Sequence, residues 1–551
     1  MIRNAKRVAI AVLVLLVYGS TNAHAGIPAS VKNDWQFEMR SPNQDEVTVL
    51  PVEVPFSIRS ISTIQGTSGK GANDFNCLSI EDASCAGATA YDVGIVVPPC
   101  NSASTPSDVC IRNLKIANAD GQMVAASLDH EVNTQKTMRN DKFGIPRGGG
   151  ISVWSSNSGA HAGGGTNYAV IVAVRIGVEG SVGGKAGTHF VKDFTAEVVP
   201  FSYEAGEYGL LQWEKFSSAD GSTGHALSCS DGSTSCTQDI CVFTEVGLCA
   251  LREEFQLEQR VSLEMQMDDG LTGWLFGRMK DFDISVKSLS STTNLINIES
   301  TVIDVPLGYA WVPRKVLQDK PLMGTKGASS YDIPLYQFIV NDRRWFDGGL
   351  PWESNYTPGS GWLRQIDPYL KPIPTRNSSW KLVATPDNFG SFGGCFSDKS
   401  KLHGVVTTNA MIYEEGAPIF KNGVLSYRVG GAHLRFDGEL FRGTYDLAIR
   451  SESARCLYKF SKAPFRASVS VLSTDGGETS VATENVGERN GWFFLSAKNF
   501  TFSSPTIKVR LYQGSKAPVI AKKIQITCKK GKQVKKVSGV SPTCPSGFKK
   551  A

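Results

Sequence analysis

The residues best suited to chemistry in this chain are lysines near its C-terminus. Residues 489–551 contain 14 basic residues and no Asp or Glu. Five of the lysines are close together between two cysteines: Lys529, Lys530, Lys532, Lys535 and Lys536. Clustered ammonium groups attract anionic polymers and lipid headgroups, by about 1 kcal/mol per Lys at an anionic surface. The cluster predicts contact with an anionic partner, or else one solvated face of a hairpin closed by Cys528 and Cys544.

A second candidate site is an aromatic stretch in the middle of the chain. Its aromatic and acidic members include Trp345, Asp347, Trp352, Glu353 and Trp362. Indole faces stack on the CH groups of sugar rings, while carboxylates accept hydrogen bonds from the sugar hydroxyls. The stretch predicts a glycan-binding surface, and the alternative is a loop-rich connection whose aromatics cover a neighbouring sheet.

Motifs of catalysis and cofactor binding do not occur. His130-Glu131 begins like a zinc-protease motif, but Thr134 stands where the second His is required. The sequence has no G-x-S-x-G, no phosphate-binding or dinucleotide fingerprint, and no Cys/His array with zinc-ligand spacing. His161 lies in a Gly-rich loop, where we expect a solvated side chain. We predict no catalytic residue, no metal site and no cofactor.

Paired carboxylates leave one enzymatic alternative open. A glycosidase needs two of them about 5–10 Å apart across a cleft. The chain has 52 acidic residues, and their spacing does not select a pair. Asp268-Asp269-Gly270 is typical of a turn, with a calcium-binding loop as the alternative.

The elements that must position these residues are predicted to be β-strands. Val261, Leu263, Met265 and Met267 alternate with polar residues, and residues 465–471 and 507–511 repeat this pattern. A period of two indicates strands with one buried face. Asp-Gly pairs at residues 437–438 and 475–476 mark turns, and helical periodicity is scarce. We predict an all-β protein with two or more β-sandwich-like domains.

Two segments of the chain echo each other. Residues 273–282 and 491–500 share a Gly, a Trp, a second aromatic, a Lys and a later Phe at identical spacing. We interpret Trp274 and Trp492 as core residues of a repeated strand and turn. The alternative is a repeated ligand-binding aromatic.

The N-terminus has the three parts of a secretory signal peptide. Three basic residues precede an apolar run over residues 8–18, and Ala23-His24-Ala25 is a small-x-small cleavage site. We expect an exported mature chain that starts at Gly26 and has no later membrane span. Of the 57 basic residues, 40 lie in residues 26–488 together with all 52 acidic residues. An acidic body therefore precedes a basic end.

The cysteines predict a disulfide framework, because an exported chain with an even number of them favours bridges over metal. The chain has 12 cysteines, all after the signal. Nearest-neighbour pairing gives Cys77–Cys85, Cys100–Cys110, Cys229–Cys236, Cys241–Cys249, Cys395–Cys456 and Cys528–Cys544. Crosswise pairing within residues 229–249 stays open. Each short loop removes roughly 2.5–3 kcal/mol of unfolded-state entropy, and the Cys395–Cys456 loop about 4 kcal/mol.

Composition divides the chain into five parts. The signal peptide occupies residues 1–25 and a Cys-rich β region, which could be two domains, residues 26–314. A Pro- and Trp-rich connection follows over residues 315–381. A β-sandwich-like domain occupies residues 382–514, and a Lys-rich tail with its disulfide-closed hairpin residues 515–551.

The tail sequence ITCKKGKQVKKVSGVSPTCPSGFKK, residues 526–550, resembles a C-terminal segment of uncharacterised exported proteins of actinobacterial type. Residues 454–460, the strand at Gly491-Trp492 and residues 500–506 look like the domain that precedes this segment in those proteins. The resemblance covers the last quarter of the chain. It implies a secreted or surface location and brings no activity with it.

The sequence favours an exported, non-catalytic binding or adhesion protein at the cell envelope. Its expected partner is an anionic envelope polymer or a glycan, and not a nucleic acid. A secreted carbohydrate-active hydrolase and a structural surface-layer component remain as alternatives.

Overall fold

The computed structural model is built almost entirely from β-sheets, with a short α-helix, α1 (Ser451–Tyr458). The predicted signal peptide and the aromatic stretch at residues 345–362 lie outside the residues that it describes. The described residues are 46–49, 62–67, 75–82, 85, 88–132, 136–179, 188–217, 223–229, 241–268, 270–306, 308–313, 315–316, 367–372, 376–384, 395, 401–413, 417–431, 433–435, 437–461, 466–472, 478–481, 483–501, 506–513, 524–531, 533–539 and 544–550.

The first twenty strands precede residue 314. They are β1 (Glu46–Val49), β2 (Thr63–Thr67), β3 (Phe75–Cys77), β4 (Ala90–Val96), β5 (Cys110–Ala117), β6 (Met123–Ala125), β7 (Ser127–Glu131), β8 (Ser152–Ser155), β9 (Asn167–Glu179), β10 (Thr188–Ala205), β11 (Leu211–Ser217), β12 (Thr223–Cys229), β13 (Cys241–Glu245), β14 (Leu248–Arg252), β15 (Arg260–Asp268), β16 (Gly273–Arg278), β17 (Lys280–Ser288), β18 (Thr293–Thr301), β19 (Ile303–Asp304) and β20 (Gly308–Pro313).

The remaining strands follow residue 369. They are β21 (Leu370–Pro372), β22 (Ser378–Ser379), β23 (Lys381–Ala384), β24 (Leu402–Thr408), β25 (Ile412–Tyr413), β26 (Ile419–Lys421), β27 (Val424–Gly430), β28 (Arg442–Arg450), β29 (Arg466–Leu472), β30 (Glu478–Val481), β31 (Thr483–Arg489), β32 (Trp492–Thr501), β33 (Thr506–Tyr512), β34 (Ile524–Lys530), β35 (Gln533–Gly539) and β36 (Lys549–Lys550). Short 3-10 helices occupy Asp141–Phe143 and Asp367–Tyr369.

The largest sheet has 15 strands and joins distant parts of the chain. Its path is β3-β2-β4-β9-β10-β23-β16-β24-β28-β32-β31, with β7, β8, β13 and β14 attached beside it. The pair β16–β24 is parallel, whereas β10–β23 and β23–β16 are antiparallel. The predicted domain boundary between residues 381 and 382 falls inside β23, which is hydrogen-bonded to β10 and β16. Strands from both predicted domains therefore share one sheet.

Both faces of this sheet are buried at its middle. Leu275 and Trp492 pack into a first core, which also contains the five-stranded sheet β17-β18-β15-β5-β6. Trp274, Phe276 and Phe493 pack into a second core against the sheet of β25, β27, β33, β29, β30 and β26. Neighbouring residues of β16 enter different cores, which explains its unbroken apolar run. The two cores confirm the predicted all-β architecture with more than one sandwich-like unit.

All three period-two patterns form strands, but only residues 507–511 form a half-buried one. The prediction of one buried face is wrong for β15, where Ser262 and Gln266 are buried as well. On β33, Ile507, Val509 and Leu511 are buried, whereas Arg510 is exposed. The Asp-Gly pair at residues 437–438 forms the predicted turn, between the bridged residues Leu434 and Leu440. Gly438 has a φ of +83°, which a side chain other than that of glycine rarely adopts.

The internal echo corresponds to a repeated strand and bulge. Trp274 and Trp492 are 0% and 1% exposed, which confirms that both are core residues. A glycine at positive φ precedes each of them, with angles of +82° and +78°. Eight residues after each glycine the backbone again turns to positive φ, at Asp281 (+49°) and Asn499 (+64°). The strand register slips at both places, so each unit contains a β-bulge.

Five of the six predicted disulfides are confirmed: Cys77–Cys85, Cys100–Cys110, Cys241–Cys249, Cys395–Cys456 and Cys528–Cys544. Because Cys241 pairs with Cys249, neither of them pairs crosswise with Cys229 or Cys236. Cys236 and the side chain of Cys229 lie outside the described residues. Five disulfide bridges indicate folding in an oxidising environment. Helix α1, which the sequence analysis missed because it spans only eight residues, carries Cys456.

We expect no reactive thiol in the purified, denatured and unreduced protein, because paired cysteines oxidise on export. Titration with a thiol reagent before and after reduction measures this. Finding two thiols would show that Cys229 and Cys236 are not joined to each other. Finding four or more would contradict the bridges described above.

Candidate functional site

The C-terminal lysines lie on a small three-stranded sheet, in the order β35-β34-β36. Strands β34 and β35 form a hairpin in which Lys530 pairs with Gln533, leaving a two-residue turn. Gly531 in this turn has a φ of +59°, as tight hairpin turns require. The Cys528–Cys544 bridge brings the end of the chain back, so that β36 pairs with β34 on its other side. The predicted basic hairpin is therefore confirmed.

The strand register divides the lysines between two faces. Residues directly opposite each other in an antiparallel pair share a face, and successive residues of a strand alternate. Cys528 is opposite Lys535 and Lys550, so these lysines and Lys530 share the face of the disulfide. The other face carries three lysines, at Lys529, Lys536 and Lys549. Lys532 lies outside the described residues.

The disulfide face is partly covered by the segment that leads into β36. Cys528 is fully buried. The ammonium of Lys535 lies 5.5 Å from the centre of the Phe548 ring, and a Cβ placed on Gly547 would lie 3.1 Å from Nζ of Lys530. Lys530 and Lys535 therefore lie near the protein's own loop, although they and Lys550 are exposed.

The opposite face, which we call the basic face, is defined by Lys529, Val534, Lys536 and Lys549. All four side chains are exposed, Val534 by 54%. Lys529 is directly opposite Val534 on one side and Lys549 on the other. Within the described residues, none of its lysines forms an ion pair with a carboxylate. An apolar residue thus lies among three uncompensated cations.

This arrangement is electrostatically unfavourable without a counter-anion. Neighbouring strands lie about 4.8 Å apart, and like charges directly opposite each other destabilise a sheet. Lys529 and Lys549 are such a directly opposite pair. No Asp or Glu occurs in residues 489–551 to relieve the repulsion. An anionic surface or polymer laid on the basic face would do so.

Sequence reasoning missed Lys549 and treated Lys529 to Lys536 as a single group. Lys549 is 20 residues from Lys529 in the chain, and only the disulfide and the β34–β36 pairing make them neighbours. The sequence did contain a sign of this arrangement. The expected Cys528–Cys544 bridge brings the end of the chain back to Lys529, and Lys549 and Lys550 follow that bridge.

Several carboxylates among the described residues meet in a pocket whose features differ from those of a hydrolytic site. A pocket of about 530 Å³ contains Asp108, Asp141 and Asp268, with no aromatic residue in its lining. Arg139 forms ion pairs with both Asp108 and Asp141. Burial raises the pKa of Asp108, but hydrogen bonds from Thr105 and the charge of Arg139 outweigh it, so the pKa is lowered. A general acid needs the opposite shift.

Asp268 forms the predicted turn. Its Oδ1 accepts a hydrogen bond from the amide of Gly270 at 2.8 Å, and its carbonyl accepts one from Leu271 at 3.1 Å. Among the residues that the structure describes, no group of three or more His, Cys, Asp or Glu could hold a metal ion.

The prediction of a solvated His161 is wrong, because this side chain is fully buried. The Gly-rich loop folds back over the ring, and Nδ1 accepts a hydrogen bond from the amide of Gly163 at 3.2 Å. The ring also packs edge-on against Tyr168, 6.0 Å between centroids. Burial lowers the pKa of His161, although the nearby Glu253 opposes this. The glycines in the loop allow close packing rather than exposure.

Comparisons with protein families, curated proteins and solved structures gave no match to this chain. In the ranges described above, no helix has the length and apolar character needed to cross a membrane.

Proposed function

We propose that this protein is an exported, non-catalytic binding or adhesion protein, attached to the cell envelope by the basic face of its C-terminal sheet. The partner is an anionic envelope polymer. The observation that carries the proposal is the presence of Lys529, Lys536 and Lys549 around the exposed Val534, with no carboxylate partner among the described residues. The acidic body keeps the rest of the molecule off the same polymer by charge repulsion.

Three further features support the proposal. The disulfides fit a chain that works outside the cytoplasm. The N-terminal pattern and the resemblance of the tail to exported actinobacterial-type proteins point to the same location. Two sandwich-like units share one continuous sheet, an architecture compatible with a binding or adhesion protein.

Replacing Lys529, Lys536 and Lys549 together with Gln should weaken binding to isolated bacterial cell walls by about a hundredfold at low salt. Three contacts of roughly 1 kcal/mol each account for this loss. Binding of the parent protein should also fall steeply between 50 and 500 mM salt, because exposed charges are screened beyond about 10 Å at 0.1 M. Co-sedimentation with the walls measures both effects.

The matched control replaces Lys530, Lys535 and Lys550 with Gln, which removes the same charge from the disulfide face. This variant should retain much more of the binding than the first. Equal losses of binding in the two variants would show that total charge, and not the arrangement of lysines on the basic face, determines the binding. Binding of the parent to phosphatidylglycerol vesicles but not to walls would identify a lipid surface as the partner.

The hydrolase alternative receives less support from the described residues. Asp108, one of the carboxyls in the pocket of about 530 Å³, is held ionised by Arg139, and no aromatic residue lines the pocket. The glycan-binding hypothesis for Trp345, Asp347, Trp352, Glu353 and Trp362 stays a prediction, because these residues lie outside the described part of the chain.

A further inference from the structure

Lys498 and Asp281 form an ion pair that joins the two sheets of the first core. Nζ of Lys498, on β32 of the 15-stranded sheet, lies 2.9 Å from Oδ2 of Asp281, on β17 of the five-stranded sheet. The two side chains are only 23% and 27% exposed. On the same two strands Phe282 packs edge-on against Phe494, with 6.2 Å between the ring centroids, and both rings belong to the first core. The ion pair therefore lies at the margin of this core, where much of the surrounding water is excluded.

A buried carboxyl lies against this pair. Asp446 is directly opposite Ser496, which is two residues before Lys498, so the side chains of Asp446 and Lys498 lie on the same face of the large sheet. Asp446 is 3% exposed, and its Oδ2 has no hydrogen-bond partner among the described residues. The carboxyl accepts a hydrogen bond from the backbone N–H of Asp281, and it also interacts with the charges of Asp281 and Lys498. Two carboxyl groups and one amine thus meet in a largely buried place.

The backbone of β17 holds one of these carboxyl groups in position. Asp281 has a φ of +49°, and the register of β17 with β18 slips between Lys280 and Asp283. A residue other than glycine is uncommon at such an angle. Bulges of this kind redirect side chains and are common beside active sites. The bulge therefore presents the carboxyl group of Asp281 to the amine of Lys498.

Burial also provides a proton donor at neutral pH. Loss of solvent, with a contribution from Asp281, raises the pKa of Asp446 to about 7 against the opposing effect of Lys498. A carboxyl that stays uncharged near pH 7 can donate a hydrogen bond and can pass a proton between two other groups. An amine, a carboxyl group and an acid–base group beside them are the components of an amide condensation.

We propose that Lys498 and Asp281 condense to an intramolecular isopeptide bond, with Asp446 as the acid–base group. The ammonium of Lys498 first gives a proton to the carboxylate of Asp281, which leaves a neutral amine beside a neutral carboxyl group. Nζ then attacks Cγ of Asp281, while Asp446 donates a hydrogen bond to the carboxyl oxygen. A proton passes from the nitrogen through Asp446 to the departing hydroxyl group. One C–N bond replaces one C–O bond, one water molecule leaves, and Asp446 is regenerated.

The fold makes this condensation favourable. Groups held in contact react as though each were present at about 10⁵–10⁸ M, and the partly closed site limits the return of water. The step needs no further reactant, because the ammonium and the carboxylate together contain all the atoms of the amide and the water. The product would be a covalent link between the two sheets of the first core. It is separate from the basic face and does not depend on the proposed function.

Tryptic digestion and mass spectrometry of the reduced full-length protein test the proposal. The expected product joins residues 281–287 to residues 490–508, is lighter than the two peptides together by one water molecule, and is not cleaved after Lys498. Lys498→Arg should lack this product because a guanidinium does not condense, although it keeps the charge. Asp446→Asn should also lack it, because an amide side chain does not transfer the proton. Circular dichroism of both variants checks that they are folded.

The matched control in the same digest is Lys136, whose Nζ also lies 2.9 Å from a carboxylate oxygen, that of Glu131. Lys136 is 43% exposed, so trypsin should cleave after it in the ordinary way. Complete cleavage after Lys498 in the parent protein would overturn the proposal, whether or not the variants fold. A linked peptide of equal yield in Asp446→Asn would overturn the role of Asp446. A link from Lys498 to residues 443–450 would show that Asp446 is the acylated residue and would overturn the assignment to Asp281.

Discussion

Trp274→Ala should lower the free energy of unfolding by about 3–5 kcal/mol, because it removes a fully buried indole from the second core. The space left does not close readily, since the ring lies directly against the backbone of Gly404. A Cβ placed on Gly404 would come within 2.2 Å of the ring. Chemical unfolding followed by intrinsic fluorescence and by circular dichroism measures the change.

Gly404→Ala tests the same contact from the other side. Overpacking should destabilise the protein by about 1–3 kcal/mol, because the indole must move. The matched control is Gly487→Ala, where an added Cβ meets nothing within 4 Å. Its effect should stay small. A Trp274→Ala protein of parental stability that had lost ligand binding would show that the tryptophan serves recognition and not the core.

Asp446→Asn should remove a large pH dependence of stability. Burial raises the pKa of Asp446 from its ordinary value of 3.8 to about 7, and the nearby Asp281 adds to this, while Ser496 and Lys498 oppose it. Between pH 4 and 7 the folded protein then holds a proton that the unfolded chain has released. The contribution of Asp446 to stability therefore falls as pH rises through this window, by roughly 4 kcal/mol at most.

The measurement is the difference in unfolding free energy between Asp446→Asn and the parent at pH 4, 6 and 8. The free energy of unfolding of the variant should increase relative to that of the parent as pH rises. Glu254, whose pKa burial also raises to about 7, is present in both proteins and cancels. The exposed Asp120→Asn serves as the control and should follow the parent. Parallel curves for Asp446→Asn and the parent would contradict an uncharged Asp446 in the folded state.

Local patterns in the sequence were sufficient where the structure depends on local geometry. Alternation on Ile507, Val509 and Leu511 predicted a half-buried strand, since the side-chain period of a strand is two. Cysteines eight to sixteen residues apart predicted their own partners, because short loops close most readily. The echo at Trp274 and Trp492 predicted core residues, because large indoles are mostly buried in folded proteins.

What required the tertiary structure depends on contacts between residues far apart in the chain. The burial of His161 follows from packing against residues near 253–259, about 95 positions away. The position of β23 between β10 and β16 brings together strands separated by more than a hundred residues, and no local pattern encodes that pairing.

The lysines of the basic face show the same division. The sequence by itself determined that the C-terminal 63 residues would be basic and free of carboxylates, since composition is a property of the chain alone. The register of β34 with its two neighbours decided which lysines share a face. Charge is fixed by residue type, whereas its concentration at one place depends on which distant strands pair.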